Sequence, residues 1–468
     1  MKVISLFPCC IGASLIFGGC MVGPDFAGAP AQSLPATWAN RVPPATDSEN
    51  LVQWWRQFGD RQLTRLIETG FAANPDMIAA ALSIKEAESS AKIAGASLLP
   101  VVTAGASQAT APAGAWNSTA HGEWGMRANA SWEIDIFGGN RRKIEAALAS
   151  LHATQAAAGS VQTALAANIA ATYFDWIAAN ENLRIAREQL AYQKHTLNIV
   201  QRRYDAGMEA KLALEQALTQ VASTESGIPA QEALVKEAEN TLAVYLGTHM
   251  AQVRPSMPSA FVAAVIPRVP TGLPSELLRR RPDIIQAEAK LHGVTTEVGV
   301  AVAELFPKLS LTGSANTAAG SDFAGFYSAR QSGWSLGGGI TQNIFRGGAL
   351  LEQIKLRKTS VLRVEEAYRK TVIAALSEVE SCLVSYARLM RQLPLQQEMV
   401  RSTGESARLS LKLYSAGYTD FLNVASAQQS WLSSQQKLTT MRQSIRQNLA
   451  NLYKVLGGGW DGSRVAGV

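Results

Sequence analysis

Long apolar runs are scarce in this 468-residue sequence. Beyond the first twenty residues, no segment offers the roughly 18 consecutive apolar residues that a membrane-spanning helix needs. If the chain enters a bilayer, it must do so through β-strands, which satisfy their backbone hydrogen bonds against neighbouring strands.

Cysteine is also scarce, with 4 in the whole chain, and Cys9 and Cys10 lie in the N-terminal apolar run. Cys382 stands alone within a helical pattern, where we expect it to fill a small space in the core. No pair remains for a disulfide framework or a metal-binding knuckle. The 5 histidines lie far apart, and none has a zinc-binding partner at helical spacing.

Motifs of catalysis and nucleotide binding are missing as well. The sequence has no Gly-x-Ser-x-Gly elbow, no His-Glu-x-x-His and no Gly-Lys-Ser/Thr phosphate loop. The formal net charge of +6 is spread along the chain, which does not favour nucleic acid. We therefore predict that the chain is not an enzyme and needs no cofactor or metal.

The N-terminus is typical of a secreted protein, because Met1-Lys2 precedes an apolar run that ends at Phe17. Gly18-Gly19-Cys20 follows, which is the pattern of a bacterial lipoprotein cleavage site. We predict a signal peptide over 1–19 and a covalent lipid on Cys20. The alternative is an ordinary signal with an incidental cysteine. Neutral Met21 favours the outer membrane, and the Pro/Ala-rich stretch beyond it predicts a loose tether.

The chain repeats one plan twice. Pro75-Asp76 and Pro282-Asp283 lie 207 positions apart, and the glycines of two Tyr-x-x-Gly stretches, Gly207 and Gly417, lie 210 apart. Such regular offsets predict an internal duplication. The predicted divisions are an N-terminal tether and equatorial segment (20–60), a first repeat (61–247), an equatorial linker (248–274), a second repeat (275–457) and a tail (458–468).

Long helices dominate each half. Between residues 139 and 204 there is no proline, alanine is abundant, and apolar residues recur at spacings of three and four. This pattern predicts a helix of roughly 100 Å. Asn74 is a good helix N-cap, and Gly207 and Gly417 suit left-handed caps where helices reverse. The returning helix and the second pair are predicted over 212–246, 350–414 and 421–456. A coiled-coil scaffold would show the same helices.

Strands separate a scaffold from a membrane protein. Apolar and polar side chains alternate strictly from Glu123 to Phe137, and similar patterns follow over 309–316 and 334–341, with a weaker one over 101–110. This alternation suits a membrane barrel, although a soluble sheet packed on helices would share it. Four strands cannot close, because the smallest barrels use about eight. A dimer would supply eight strands and a trimer twelve, with room for a pore.

Several stretches together resemble the TolC-like outer-membrane efflux proteins, in particular the OprM/NodT-type lipoprotein branch. They are Cys20-Met21-Val22-Gly23-Pro24-Asp25-Phe26, Trp54-Trp55-Arg56-Gln57-Phe58-Gly59-Asp60, Arg281-Pro282-Asp283-Ile284, Leu305-Phe306-Pro307 and the two Tyr-x-x-Gly stretches. The resemblance implies a mainly α fold with a membrane β-barrel. A homotrimer would share twelve strands, four from each subunit, above a periplasmic tunnel of long antiparallel helices.

The resemblance also implies function and partners. The chain would be the lipid-anchored outer-membrane channel of a tripartite efflux system, extending into the periplasm. It would conduct drugs or other small molecules passively from an inner-membrane pump of the resistance-nodulation-division type, joined by a periplasmic adaptor. The alternatives are an outlet for type I protein secretion and a pore-free periplasmic scaffold. A secreted hydrolase is disfavoured by the missing motifs.

Candidate site residues follow from the same resemblance. Adaptor contacts are expected at the helix tips, through Tyr204, Gly207, Tyr414 and Gly417. The periplasmic gate is expected just after the second tip.

The usual family aspartate of that gate corresponds to Ser426 here. Asp420 is the only acidic residue between Gly417 and Trp431. We predict that Asp420 supplies the selectivity ring, with Leu422 and Asn423 narrowing the pore beside it. The alternative is that Asp420 merely caps the returning helix.

Overall fold

The computed structural model describes residues 21–39, 51–110, 122–249, 274–319 and 332–462. The predicted signal peptide, Cys20, most of the predicted linker 248–274 and the end of the predicted tail 458–468 lie outside these residues. Contacts divide the chain into two compact units. The first unit contains residues 1–31, 84–154 and 286–369, and the second contains 32–83, 155–285 and 370–468.

Helices account for most of the described residues, and their positions agree with the predicted ones. The long helices α3 and α7 have 67 residues each, the returning helices α4 and α8 have 35 each, and α2 and α6 have 22 each. These equal lengths support the proposed duplication, which stays a prediction. The helices are α1 Arg61–Ala73, α2 Pro75–Ala96, α3 Gly139–Asp205, α4 Lys211–Tyr245, α5 Leu277–Arg280, α6 Pro282–Ala303, α7 Ala349–Ser415 and α8 Phe421–Val455.

Local chemistry explains where the helices begin. Asn74 accepts hydrogen bonds from the backbone N–H groups of Asp76 (2.8 Å) and Met77 (3.2 Å), which confirms it as the N-cap of α2. Asp60 caps α1 in the same way. Across the described ranges, no helix combines the length and the apolar character that crossing a membrane requires.

A four-stranded antiparallel sheet lies in the first unit, in the order β1-β2-β3-β4. Its register sorts the side chains by polarity. Trp132 lies opposite Leu311, and Leu309 lies opposite Ile340, so these apolar residues share one face. The other face is polar, and Ser314 and Ser335 are joined there by a 2.9 Å hydrogen bond between their hydroxyls. The strands are β1 Val101–Thr110, β2 Gly122–Ile134, β3 Lys308–Ala319 and β4 Ser332–Thr341.

An aromatic core organises the second unit. Trp54, in the short 3-10 helix Trp54–Phe58, is buried and stacks on Tyr453 with ring centroids 5.2 Å apart. The Tyr453 hydroxyl donates a 2.6 Å hydrogen bond to Gln57 Oε1. Tyr173 donates similarly to Asp60 at 2.7 Å. The Trp-Trp motif therefore serves packing.

Cys382, predicted to fill a small space in the core, and Arg281 both lie in this unit. Cys382 is buried, and burial raises the pKa of its thiol, as expected for a core residue. Arg281 donates to Asp283 (2.7 Å), Glu378 (2.8 Å) and the Val455 carbonyl (3.0 Å). Since a buried guanidinium needs charge partners, these ion pairs explain the arginine before α6.

Candidate functional site: the helix tips

Two helix reversals in the second unit carry the predicted site residues. We call residues 203–211, between α3 and α4, the first tip, and residues 413–421, between α7 and α8, the second tip. Gly207 (φ 68°) and Gly417 (φ 84°) adopt the left-handed conformation predicted for them. Each reversal makes the same two backbone bonds: Met208 N to Arg203 O and Gly207 N to Tyr204 O, then Tyr418 N to Leu413 O and Gly417 N to Tyr414 O.

Tyr414 joins the two tips. Its side chain is fully buried, at 0% exposure, among apolar residues of α3, α4 and α8. The Tyr414 hydroxyl donates a 2.7 Å hydrogen bond to Glu209 Oε2 of the first tip. Arg203 lies over the Tyr414 ring, 5.0 Å from the ring centroid. The first tip therefore surrounds this phenol with a carboxylate and a guanidinium.

Arg203 also holds the backbone of the second tip. Its Nη1 donates to the carbonyls of Tyr414 (3.0 Å) and Ser415 (3.3 Å) at the end of α7, and the Tyr414 carbonyl also accepts from Gly417 N. Arg203 Nε lies 3.7 Å from Glu209 Oε2. A cation suits the negative end of the α7 dipole.

The environment keeps the Tyr414 phenol protonated. Burial raises its pKa, and the hydrogen bond and negative charge of Glu209 add to that rise, while Arg203 opposes it. The hydroxyl therefore remains a hydrogen-bond donor at ordinary pH, as the contact with Glu209 requires.

The start of α8 carries the residues predicted for the gate. The Asp420 carboxylate accepts a 3.1 Å hydrogen bond from Asn423 N, so Asp420 is an N-cap in this structure. The Asn423 amide donates to Thr419 Oγ1 at 2.9 Å. Leu422, Asn423 and Ser426 are exposed. The first tip differs, since Ala210 precedes α4 and provides no side-chain cap.

The chain matches the family model for outer membrane efflux protein over residues 66–248 and 273–458, most of its length. It belongs to the outer membrane efflux protein family. The family is one of transport proteins rather than enzymes, and it requires no cofactor. Its members work in the outer membrane, within tripartite systems that include an adaptor and an inner-membrane pump.

Individual relatives cover nearly the whole chain. The pyoverdine export outer membrane protein OpmQ of Pseudomonas aeruginosa is 34% identical over 485 residues, covering 99% of this chain and 98% of OpmQ. The antibiotic efflux pump outer membrane protein ArpC of Pseudomonas putida is 32% identical, covering 96% and 94%. The solved outer-membrane channel OprN superposes with a TM-score of 0.84 at 28% identity, covering 94% of this chain and all of OprN. The predicted TolC-like fold is confirmed.

In this outer membrane efflux protein, the predicted tip residues divide into two groups. Gly207, Gly417 and Tyr204 have accessible surface, and Tyr204 is 36% exposed. Tyr414 has none, and its contact with the adaptor stays a prediction. The aromatic ring is needed inside the tip, where it closes the contact with Arg203 and Glu209.

Sequence reasoning missed Arg203 and Glu209. Arg203 contacts the Tyr414 carbonyl across 211 positions of sequence, so no local spacing signals that contact. The available hint was the basic pair Arg202-Arg203 directly before the first Tyr-x-x-Gly stretch, since a cation near a helix C-terminus often binds free carbonyls.

Proposed function

We propose that three copies of this chain form one outer-membrane channel that conducts small molecules passively out of the cell. The main support is the four-stranded sheet of the first unit, with its unpaired edge strands and exposed apolar face. Its outer strands, β1 and β4, each have a neighbour on one side only within the described residues. On β4, Trp334 is 82% exposed, Leu336 79% and Ile340 74%. Unpaired edges and a bare apolar face call for more strands and for lipid.

Twelve strands would then close a barrel with room for a pore, which eight would fill with side chains. Crosslinking of the detergent-solubilised protein should stop at three subunits, and that trimer should conduct in a planar bilayer. A conducting monomer would exclude the shared barrel.

The proposed cargo is drugs or other small molecules, delivered by a resistance-nodulation-division pump. Relatives named for pyoverdine export and for antibiotic efflux support small molecules over proteins, and they favour no single chemical class. A deletion strain should become sensitive to small toxic compounds. Loss of one secreted protein, with resistance unchanged, would instead favour the type I secretion outlet.

The adaptor is proposed to bind at the tips, through the exposed surface around Tyr204, Gly207 and Gly417. Charged substitutions at Tyr204 should weaken pull-down of the adaptor without changing the amount of trimer. Unchanged pull-down would move the contact elsewhere.

Cys20 is proposed to carry the lipid that anchors each subunit. Two acyl chains give stable anchoring where one is marginal. A radioactive fatty acid should label the wild type and not Cys20→Ser. Equal labelling of both proteins would exclude the anchor.

The gate is proposed at the start of α8, where threefold symmetry would turn Asp420 into a ring of carboxylates, bordered by Leu422, Asn423 and Ser426. The observed capping bond does not conflict with this role, because Asp420 is exposed. Asp420→Asn keeps most of the capping ability and removes the charge. Cation selectivity should fall in that variant. Unchanged selectivity would leave Asp420 as a cap only.

A further inference from the structure

Arg142, in the first turn of α3, is a buried cation that binds the N-terminal segment of the chain. Its side chain is 1% exposed. Nε donates to the Val22 carbonyl (3.2 Å), and Nη2 donates to Gly23 O (3.4 Å) and Asp25 Oδ1 (2.6 Å). Nη1 donates to Glu145 at 2.9 Å. Because a buried guanidinium is costly without partners, the segment and Arg142 depend on each other.

Two glycines let the segment approach this closely. Gly23 has φ 91°, and a Cβ atom at that position would lie 2.4 Å from the Cα atom of Gly299 in α6. A Cβ atom on Gly299 would lie 2.9 Å from Arg142 Nε. Any larger side chain would therefore push the segment away from α6 or displace Arg142.

Further contacts hold both ends of residues 21–26. Val22 N donates a 3.2 Å hydrogen bond to Phe137 O, three residues after β2. At the other end, Phe26 stacks on His292 with ring centroids 4.6 Å apart. His292 Nε2 lies 2.9 Å from Glu145 Oε1, on the same carboxylate that binds Arg142. The predicted loose tether is therefore a bound segment over residues 21–26, because Arg142 gives it a buried partner.

The N-terminal segment is bound beside a pair of stacked aromatic rings. Phe137 stacks on Phe306 with centroids 4.7 Å apart, directly beyond the ends of β2 and α6. Aromatic rings concentrate at the level where a membrane meets water. Cys20 is two residues before Val22, a distance that the backbone spans in at most about 7 Å. The contacts of Val22 thus fix, near this level, the point from which Cys20 extends.

We propose that Arg142 is a positioning residue for the lipid anchor: with Gly23 and Gly299, it fixes residues 21–26 so that the acyl chains on Cys20 enter the membrane beside the base of the sheet. The proposal rests on the acylation of Cys20 proposed above. A lipid on a loose tether would only keep the subunit near the membrane. A lipid held at the sheet also sets the height and orientation of the strands before they join those of other subunits.

The test uses a matched pair of glycine variants of the full-length acylated protein. Gly23→Ala meets Gly299, whereas Gly28→Ala has a similar positive φ (99°) and open space around it. A nitroxide label on Pro24→Cys, in a Cys382→Ser background, reports motion of the segment. We expect an immobilised spectrum in the parent protein and in Gly28→Ala, and loss of immobilisation in Gly23→Ala. Equal immobilisation in all three proteins would overturn the proposal that Gly23 and Gly299 fix residues 21–26.

A second readout separates positioning from simple stability. The amount of heat-stable trimer in the outer membrane should fall in Gly23→Ala, and this loss should disappear when Cys20→Ser has already removed the lipid. The same loss in both backgrounds would show a structural role only. Fatty-acid labelling of the parent reports acylation separately. If the fatty acid does not label the parent while the nitroxide on Pro24→Cys is immobilised, the lipid anchor and the positioning role are both rejected. The bound segment over residues 21–26 would still stand.

If Gly23→Ala does not reach the outer membrane at all, Asp25→Ala answers the same question. The Asp25 side chain is 88% exposed, so its removal leaves the core intact and takes away one contact of Arg142. We expect a partly mobile label. An unchanged spectrum in that variant would contradict the proposal.

Discussion

The first tip and the second tip follow the same backbone path, with a left-handed glycine and the same two closing hydrogen bonds, but the tyrosines of their Tyr-x-x-Gly stretches have opposite environments. Tyr204 reaches solvent, whereas Tyr414 is buried against Arg203 and Glu209 of the first tip. The helix starts differ too, since α8 has the Asp420 cap and α4 has none. Repeated backbone geometry therefore does not give repeated roles. The first tip supplies the charged side chains of Arg203 and Glu209, and the second tip supplies the Tyr414 side chain that they contact.

Removing each tyrosine should separate the tips most clearly. Tyr414→Ala should lower the local stability of the tips by about 3–5 kcal/mol, the cost of truncating a buried aromatic side chain. Tyr204→Ala should cost roughly 0.5 kcal/mol, as exposed substitutions do. Hydrogen exchange of tip peptides measures both. Similar protection losses in the two variants would show that the tips are equivalent after all.

The charged side of the contact comes next. Arg203→Met keeps the aliphatic stem and removes the bonds to the Tyr414 and Ser415 carbonyls, so we expect a local loss of about 1.5–3 kcal/mol. The matched control is Arg202→Met, at the exposed neighbouring position. Exchange should accelerate in the second tip as well as the first. Acceleration confined to the first tip would mean that Arg203 does not join them.

High pH should weaken the same contact. Burial, followed by the Glu209 hydrogen bond, raises the pKa of Tyr414 above the ordinary tyrosine value of 10.0. The folded tip thus holds its proton more tightly than the unfolded one. The contribution of the protonated Tyr414 hydroxyl to the stability of the tips is fully present below pH 10 and falls above it, by up to about 1.4 kcal/mol per pH unit.

Phenolate absorbance measures this titration directly. Burial also raises the pKa of other tyrosines, among them Tyr173 and Tyr453. The absorbance difference between wild type and Tyr414→Phe therefore isolates the Tyr414 hydroxyl. The phenolate transition that Tyr414→Phe lacks should lie above pH 10. A difference spectrum that titrates at the ordinary tyrosine value would remove the predicted coupling to Glu209.

Exchanging the caps should give the smallest effect. Asp420→Ala should destabilise the first turn of α8 by about 1 kcal/mol, and Ala210→Ser should stabilise the first turn of α4 by a similar amount. Serine avoids a second negative charge beside Glu209. Hydrogen exchange at the two helix starts is the measurement. If Ala210→Ser has no effect, the first tip does not have the geometry that a side-chain cap needs.

The sequence predicts the secondary structure well, because its signals are local. Asn74 accepts hydrogen bonds from residues two and three positions away, and each tip glycine terminates a helix that ends beside it. The two-residue alternation predicts the strands, and it also explains why the apolar residues of β2, β3 and β4 share a face once the strands pair.

The contacts that give the site its character are not local. Arg142 shows in the sequence only as one of three basic residues at a helix start, and its partner Asp25 is 117 positions away. Nothing nearby in the sequence distinguishes Gly23, which lies against Gly299, from Gly28, where an added Cβ atom would meet no atom of the described residues within 4 Å. The same limit applies to Tyr414, because burial depends on which helices pack around it.

Equal helix lengths in the two halves impose a quasi-equivalence on any assembly of this chain. In the proposed trimer, three copies with two hairpins each would present six hairpin ends of matching backbone form, in two chemical classes that alternate around the ring. A partner with three binding units can select one class. A partner with six must bind both, and every second unit then meets a tip whose Tyr-x-x-Gly tyrosine, Tyr414, is buried.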